Sequence, residues 1–254
     1  MHDIVVLAGE HPWTWAVANS LRRRFGEVPI ILEAQQSKAL LLRHRIRRLG
    51  WLTVVGQLAF WLFAKAVRPG YRRREQEILS RESLDVSPIK ADLIRVASVN
   101  DNQTIDKLRA FNPKVVIVSQ TRIVARRVLA SIPAVFINVH TGITPQYRGH
   151  HGAYWALVNG DPKNCGVCVH VVDPGVDTGP IIAQARIVPS PADSYFTYHW
   201  LQLAAALPLL TRAIEEALSG RLVTCKPRAD VVSRQYYHPT LWGYLWSGLS
   251  RGVW

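Results

Sequence analysis

The sequence predicts an α/β protein built on a mostly parallel, twisted sheet with helices on both faces. Three observations lead there. Short runs rich in Val and Ile recur between helical patterns, as strands covered on both faces require. The chain opens strand, helix, strand, which is how a parallel sheet begins. Its 254 residues, 48% hydrophobic and 19% charged, suffice for a real core and are too apolar for a disordered chain.

The elements follow in order. Residues 4–8 form a strand ending at Gly9, with Glu10 beside it. A helix starts near Trp13, with Val17, Leu21 and Phe25 one turn apart on one face. Residues 29–32 give the second strand. The single glycine turn between them is not a dinucleotide fingerprint. Ser37 is placed to cap a helix carrying Leu42, Ile46 and Leu49, which Gly50 ends. The apolar run from Trp51 to Val67 follows, broken by Pro69 and Gly70, and a helix with Arg73, Glu77 and Ile78 leads to Ser83. Residues 37–86 thus read as a helical insertion between strands.

The sheet resumes at 93–97, and 100–102 offer cap chemistry for a helix with Ile105 and Leu108. Runs 114–118 and 134–138 read as central strands, with later strands at 166–172 and 181–187. Residues 193–219 carry a helical stripe of Leu207, Leu210, Ile214 and Leu218, which Pro208 is expected to kink or split and Gly220 to stop. The division expected is a catalytic domain over 1–220 and a tail over 221–254. That tail, rich in Tyr and Trp, is read as packing or oligomerisation surface, with a homodimer as one outcome.

A formal charge of +13 favours anionic partners: phosphorylated substrates, acidic cofactors, nucleic acid or an anionic membrane face. No recognised nucleic-acid module accompanies it. Cys165, Cys168 and Cys225 form neither a disulfide framework nor a second CxxC pair, which speaks against zinc and redox readings. The opening residues resemble no signal peptide, so a cytoplasmic location is expected. Trp51–Val67 is interrupted by Gln57 and Lys65 and flanked by arginines. It reads first as a buried or oligomer-forming helix, with an interfacial helix and peripheral membrane contact as the competing reading.

The chemistry concentrates after 134–138. Asn138 and His140 alternate along a strand and so share a face. At the carboxyl end of an open α/β sheet they would meet a ligand crevice. The loop from Asp173 to Pro180, built with two glycines and two prolines, presents Asp177 as the carboxylate to pair with His140. An amide, an imidazole and a carboxylate permit acyl transfer without proving it.

The stretch 136–185 resembles the formyltransferase family that includes methionyl-tRNA formyltransferase, glycinamide ribonucleotide transformylase and the sugar N-formyltransferases. The matching residues are Asn138 and His140, then Pro145, Tyr147, Arg148 and Gly149, then Gly166, Val167 and His170, then Asp177 and Gly179. Gly142-Ile143-Thr144-Pro145 departs from the Ser-Leu-Leu-Pro often found there, and the 37–86 insertion is not usual in the family. The resemblance implies a Rossmann-like formyltransferase fold and Asn138, His140 and Asp177 as catalytic groups. It also implies 10-formyltetrahydrofolate as donor, held by Gln120, Thr121, Arg122, Ile123 and Val124 with Asp173 and Val176, and no metal. On that reading Asn138 and His140 donate to the oxygen that gains charge. Asp177 orients His140 and could relay the proton leaving the amine. Gly9, Glu10, Arg148, His150 and His151 are the candidate acceptor contacts, although Arg148 could instead bind the loop backbone. By elimination the acceptor expected is an amino sugar, phosphorylated or nucleotide-linked. Methionyl-tRNA, glycinamide ribonucleotide and a non-catalytic membrane-surface role are the competing readings.

Overall fold

Runs of Val and Ile cannot leave either face in water, and they collect at the centre of the molecule. The computed structural model describes residues 2–90 and 93–254. In chain order its elements are β1 (Ile4–Gly9), α1 (Pro12–Phe25), β2 (Ile30–Glu33), α2 (Lys38–Leu49), α3 (Trp51–Val67), α4 (Arg72–Arg81), β3 (Leu93–Val96), α5 (Asn102–Phe111), β4 (Val115–Ser119), α6 (Arg126–Leu129) and β5 (Val135–His140). Then come β6 (Tyr147–Gly149), α7 (Gly152–Val158), β7 (Gly166–Val171), β8 (Ile181–Arg186), α8 (Tyr198–Leu218), β9 (Arg234–Tyr236) and α9 (Leu241–Arg251).

Seven strands form one sheet in the order β3-β2-β1-β4-β5-β7-β8. The first five are parallel, and β7 and β8 run antiparallel on the far side of β5. Alternation splits the strands between two cores. Ile4, Val6, Ile30 and Ile117 pack with α1 and α8, while Val5, Leu7, Ile31 and Val116 pack with α5 and α6. A third, aromatic core joins Phe60 of α3, Tyr154 of α7, Phe196 and Tyr198 around the start of α8, and Tyr244 of α9.

Several local expectations need correction. Ser37 makes no side-chain cap bond, and neither does Asp101 at the start of α5. Asn100 instead clamps the loop after β4, its Oδ1 accepting from Ala125 N at 2.7 Å and its Nδ2 donating to Ile123 O at 2.9 Å. Residues 193–197 are a turn, and α8 begins at Tyr198. Pro208 does not split α8. It lies on the exposed side, where water can meet the carbonyl it frees, while Leu203, Leu207, Leu210 and Ile214 stay buried on the opposite side. The tail folds back: β9 pairs in parallel with β6, Cys225 bridges Ile181, and α9 packs on α3.

Candidate active site

Asn138 and His140 stand at the carboxyl end of β5 and alternate onto one face. On the neighbouring β7 the Cα partner of Asn138 is His170. The side chains meet as well, with Asn138 Nδ2 3.1 Å from His170 Nε2. Because His170 Nδ1 lies 2.9 Å from the Val171 carbonyl, Nδ1 carries the hydrogen and Nε2 accepts from the amide. The amide therefore keeps one further N–H.

His140 is buried and faces oxygen on both sides. Its Nε2 lies 2.7 Å from the Tyr147 carbonyl, and its Nδ1 lies 3.3 Å from Asp177 Oδ2. The approach of Tyr147 depends on Gly142. A Cβ at 142 would overlap the Tyr147 carbonyl and stand 2.7 Å from His140 Nε2. That gives the local departure at 142 a steric reason.

Asp177 comes from the loop between β7 and β8, with φ of 52°, a left-handed conformation that Asp tolerates better than most residues. Its Oδ2 also accepts from Gly149 N at 2.9 Å, and its Oδ1 lies 3.6 Å from His170 Nε2. Burial pushes this carboxyl up. The facing His140 first, with the Gly149 N–H, more than offsets burial and holds it below the usual carboxylate range. So depressed a carboxylate is a poor proton acceptor. It suits orienting and charge-balancing the imidazole better than relaying a proton.

The other predicted residues divide. Gly9 ends β1, two strands from β5, at the same end of the sheet as Asn138. Glu10 next to it is exposed. Gln120 to Val124 follow β4 as a fixed edge. Arg122 N donates to Glu33 Oε2 at 3.0 Å, the Arg122 guanidinium reaches the carbonyls of Ala34 and Ala97, Thr121 Oγ1 bonds Arg122 O, and Val124 is buried in the core. Asp173 holds its own loop through Gly175 N and Thr178 Oγ1. Arg148 is engaged by Val176 O at 2.9 Å and Ser233 Oγ at 2.8 Å, as the loop-binding reading expects. His150 is exposed. His151 sits 2.9 Å from His238 Nδ1 and 2.8 Å from the Tyr195 hydroxyl. Burial first, then His238, His150 and His199, lower its pKa well below the ordinary value. Burial pushes the Cys165 and Cys168 thiols up to about 12 and about 11, the opposite of a reactive pair.

His170 is the member that strand alternation alone does not find. It is one of the residues that carry the family resemblance, with support of the site from its strand and a buried structural role both open in sequence, and it reaches the cluster through antiparallel register between β5 and β7. A cavity of about 290 Å³ lies elsewhere, between Arg81, Val188 and Leu201. A void of about 20 Å³ adjoins Thr141, His151, Tyr195 and His199, just past the end of β5.

The family model described as formyl transferase matches residues 66–199. Methionyl-tRNA formyltransferase of Thermodesulfovibrio yellowstonii is 30% identical over 150 residues, covering 59% of this chain and 47% of that protein. The chain thus spans about half the length of this curated relative. Glycinamide ribonucleotide transformylase 1 of Symbiobacterium toebii superimposes with a TM-score of 0.56 at 23% identity, over 92% of both chains. The N-formyltransferase of Helicobacter canadensis, solved with folinic acid and dTDP-3-aminofucose, gives 0.55 at 14% identity, over 93% of this chain and 71% of that one. The structural likenesses carry the fold. The match of the family model over more than half the chain makes this protein a member of the formyl transferase family.

Proposed function

We propose that this protein transfers a formyl group from a 10-formyltetrahydrofolate donor to a primary amine, with a nucleotide-linked amino sugar as acceptor class. The observation that carries the reading is the convergence of Asn138, His140 and Asp177, with Asn138 holding an N–H beyond the one given to His170. The folate supplies an activated formyl carbon when bound. The fixed edge from Gln120 to Val124 suits a pterin, whose ring donors and acceptors need backbone groups held in place, and the Asp173–Val176 loop borders the cluster through Asp177. The free N–H of Asn138 is the donor for an oxygen that gains negative charge as an amine adds. Such a donor typically contributes about 2.7–4 kcal/mol to lowering the barrier. His140, whose Nε2 meets the Tyr147 carbonyl and whose Nδ1 faces Asp177, is held in place beside that oxygen and would donate to it only by giving up the Tyr147 contact. Asp177 keeps charge in place beside it.

The acceptor follows from the surroundings. The surface is cationic, which favours a phosphorylated substrate, and the Helicobacter relative was solved with a dTDP-amino sugar. Methionyl-tRNA is the second reading, favoured by the sequence match to that enzyme. The test is formyl transfer from the folate donor to dTDP- and UDP-linked amino sugars, methionyl-tRNA and glycinamide ribonucleotide, followed by mass. The expected result is transfer to a nucleotide-linked sugar. Transfer confined to methionyl-tRNA or glycinamide ribonucleotide overturns the acceptor class, and transfer to none overturns the enzyme reading.

A further inference from the structure

Formyl transfer does not use the apolar surface that α3 and α9 leave bare. α3 is apolar on two sides. Val54 and Phe60 are buried against the protein, while Val55, Leu58 and Leu62 stand in solvent at helical spacing. α9 repeats the pattern: Tyr244 and Gly248 are buried, and Trp242, Trp246 and Leu249 are exposed. A soluble helix normally shows one apolar stripe, and a second needs a second apolar phase. Gly56 joins the two stripes, because a Cβ there would overlap the Trp242 ring. The exposed indoles are large, with Trp61 59% and Trp246 70% accessible.

The charges around this face are of one sign. Between Glu33 and Glu75 the sequence holds no carboxylate side chain, and after Asp230 it holds none. Exposed Arg43 and Arg47 lie on α2, which packs on α3, and exposed Arg68 and Arg72 follow the end of α3. Lys65 Nζ stands 5.8 Å over the Trp61 ring, an indole and a cation paired as at a headgroup layer. Among the described residues no helix is long and apolar enough to cross a membrane, so the geometry is that of helices lying in the interface. A second copy fits poorly, since it would bring two cationic rims together.

We propose that this protein docks on an anionic phospholipid surface through the joined faces of α3 and α9. The docked face adjoins the catalytic loops. Gln57 Nε2 donates to His238 O at 2.8 Å and Arg48 Nη2 to Gln235 Oε1 at 3.0 Å, while β9 pairs with the strand whose Gly149 N binds Asp177.

The test is flotation of the full chain with vesicles of phosphatidylcholine alone or mixed with phosphatidylglycerol. Wild type, Leu58→Ser with Trp246→Ser, and Arg43→Gln with Arg47→Gln are compared. The expected result is binding to the phosphatidylglycerol vesicles only, weakened about thirtyfold by the arginine pair and at least as much by the apolar pair. Both pairs should keep wild-type formyl transfer in solution, which separates this proposal from the catalytic one. No flotation, or flotation that neither pair weakens, overturns it. A wild-type dimer by light scattering that the apolar pair dissolves also overturns it and gives the face to a second copy.

Discussion

His170 holds the Asn138 amide through Nε2 and stands 3.6 Å from Asp177, so it acts on the reaction through two other side chains. It is a positioning residue. His170→Leu should lower kcat about tenfold, or roughly 1.4 kcal/mol of misplacement, while donor binding measured by fluorescence titration stays near wild type. A fall in donor affinity with kcat intact would give His170 a binding role instead. At this scale the site was partly legible. Strand alternation alone puts Asn138 and His140 together, because the period is fixed by backbone geometry. Asp177 is legible as the acid of a glycine- and proline-built loop, but the left-handed backbone that turns it toward His140 is announced by no local pattern. The roles of Gly142 and Tyr147 depend on a close approach between separate turns of one loop, which sequence spacing does not express.

Elements were easier to read than their ends. Strand positions fell within a residue or two because β-branched runs have no other use here, and the two-layer core follows from their alternation. Caps were misread because Asn and Ser serve loops as readily as helices, as Asn100 does. The union of α4 with the turn before α8 was invisible in sequence. Arg74 Nε meets Asp193 Oδ1 at 2.9 Å, and the Asp193 side chain is 2% exposed. Arg74→Ala would strand that carboxylate. The loss should be about 3 kcal/mol, the lower end for breaking a buried pair because Ser190 also bonds Asp193. Urea unfolding measures it, and a loss under about 0.5 kcal/mol, as at ordinary surface sites, would show the pair to be dispensable.

For the whole molecule, half-buried imidazoles shape the response to acid. Burial first, then neighbouring cations, pushes His199 and His238 down to about 3. Their folded values lie below the unfolded value of 6.5, so the unfolded chain takes protons first. Stability should be full above pH 6.5 and fall as pH drops toward 3, by on the order of 1 kcal/mol per histidine at pH 5.5. Asp177 works in the other window, losing its contribution only below about 3.8. Urea midpoints at pH 7.5 and 5.5 should therefore differ in wild type, and less so in His199→Gln with His238→Gln. An unchanged pH response in that pair would contradict the assignment. The sheet, the charge and the helical insertion were legible at this scale. The return of the tail onto β6 and α3 was not, because parallel pairing of two three-residue strands carries no pattern of its own.

The central claim is that Asn138, His140 and Asp177 act together on a formyl group, and single-turnover transfer from the folate donor tests it most directly. Asn138→Ala and Asp177→Asn should each slow the transfer step by about a hundredfold or more while each variant still unfolds in one cooperative urea transition. Near-normal transfer rates in both variants would contradict the account.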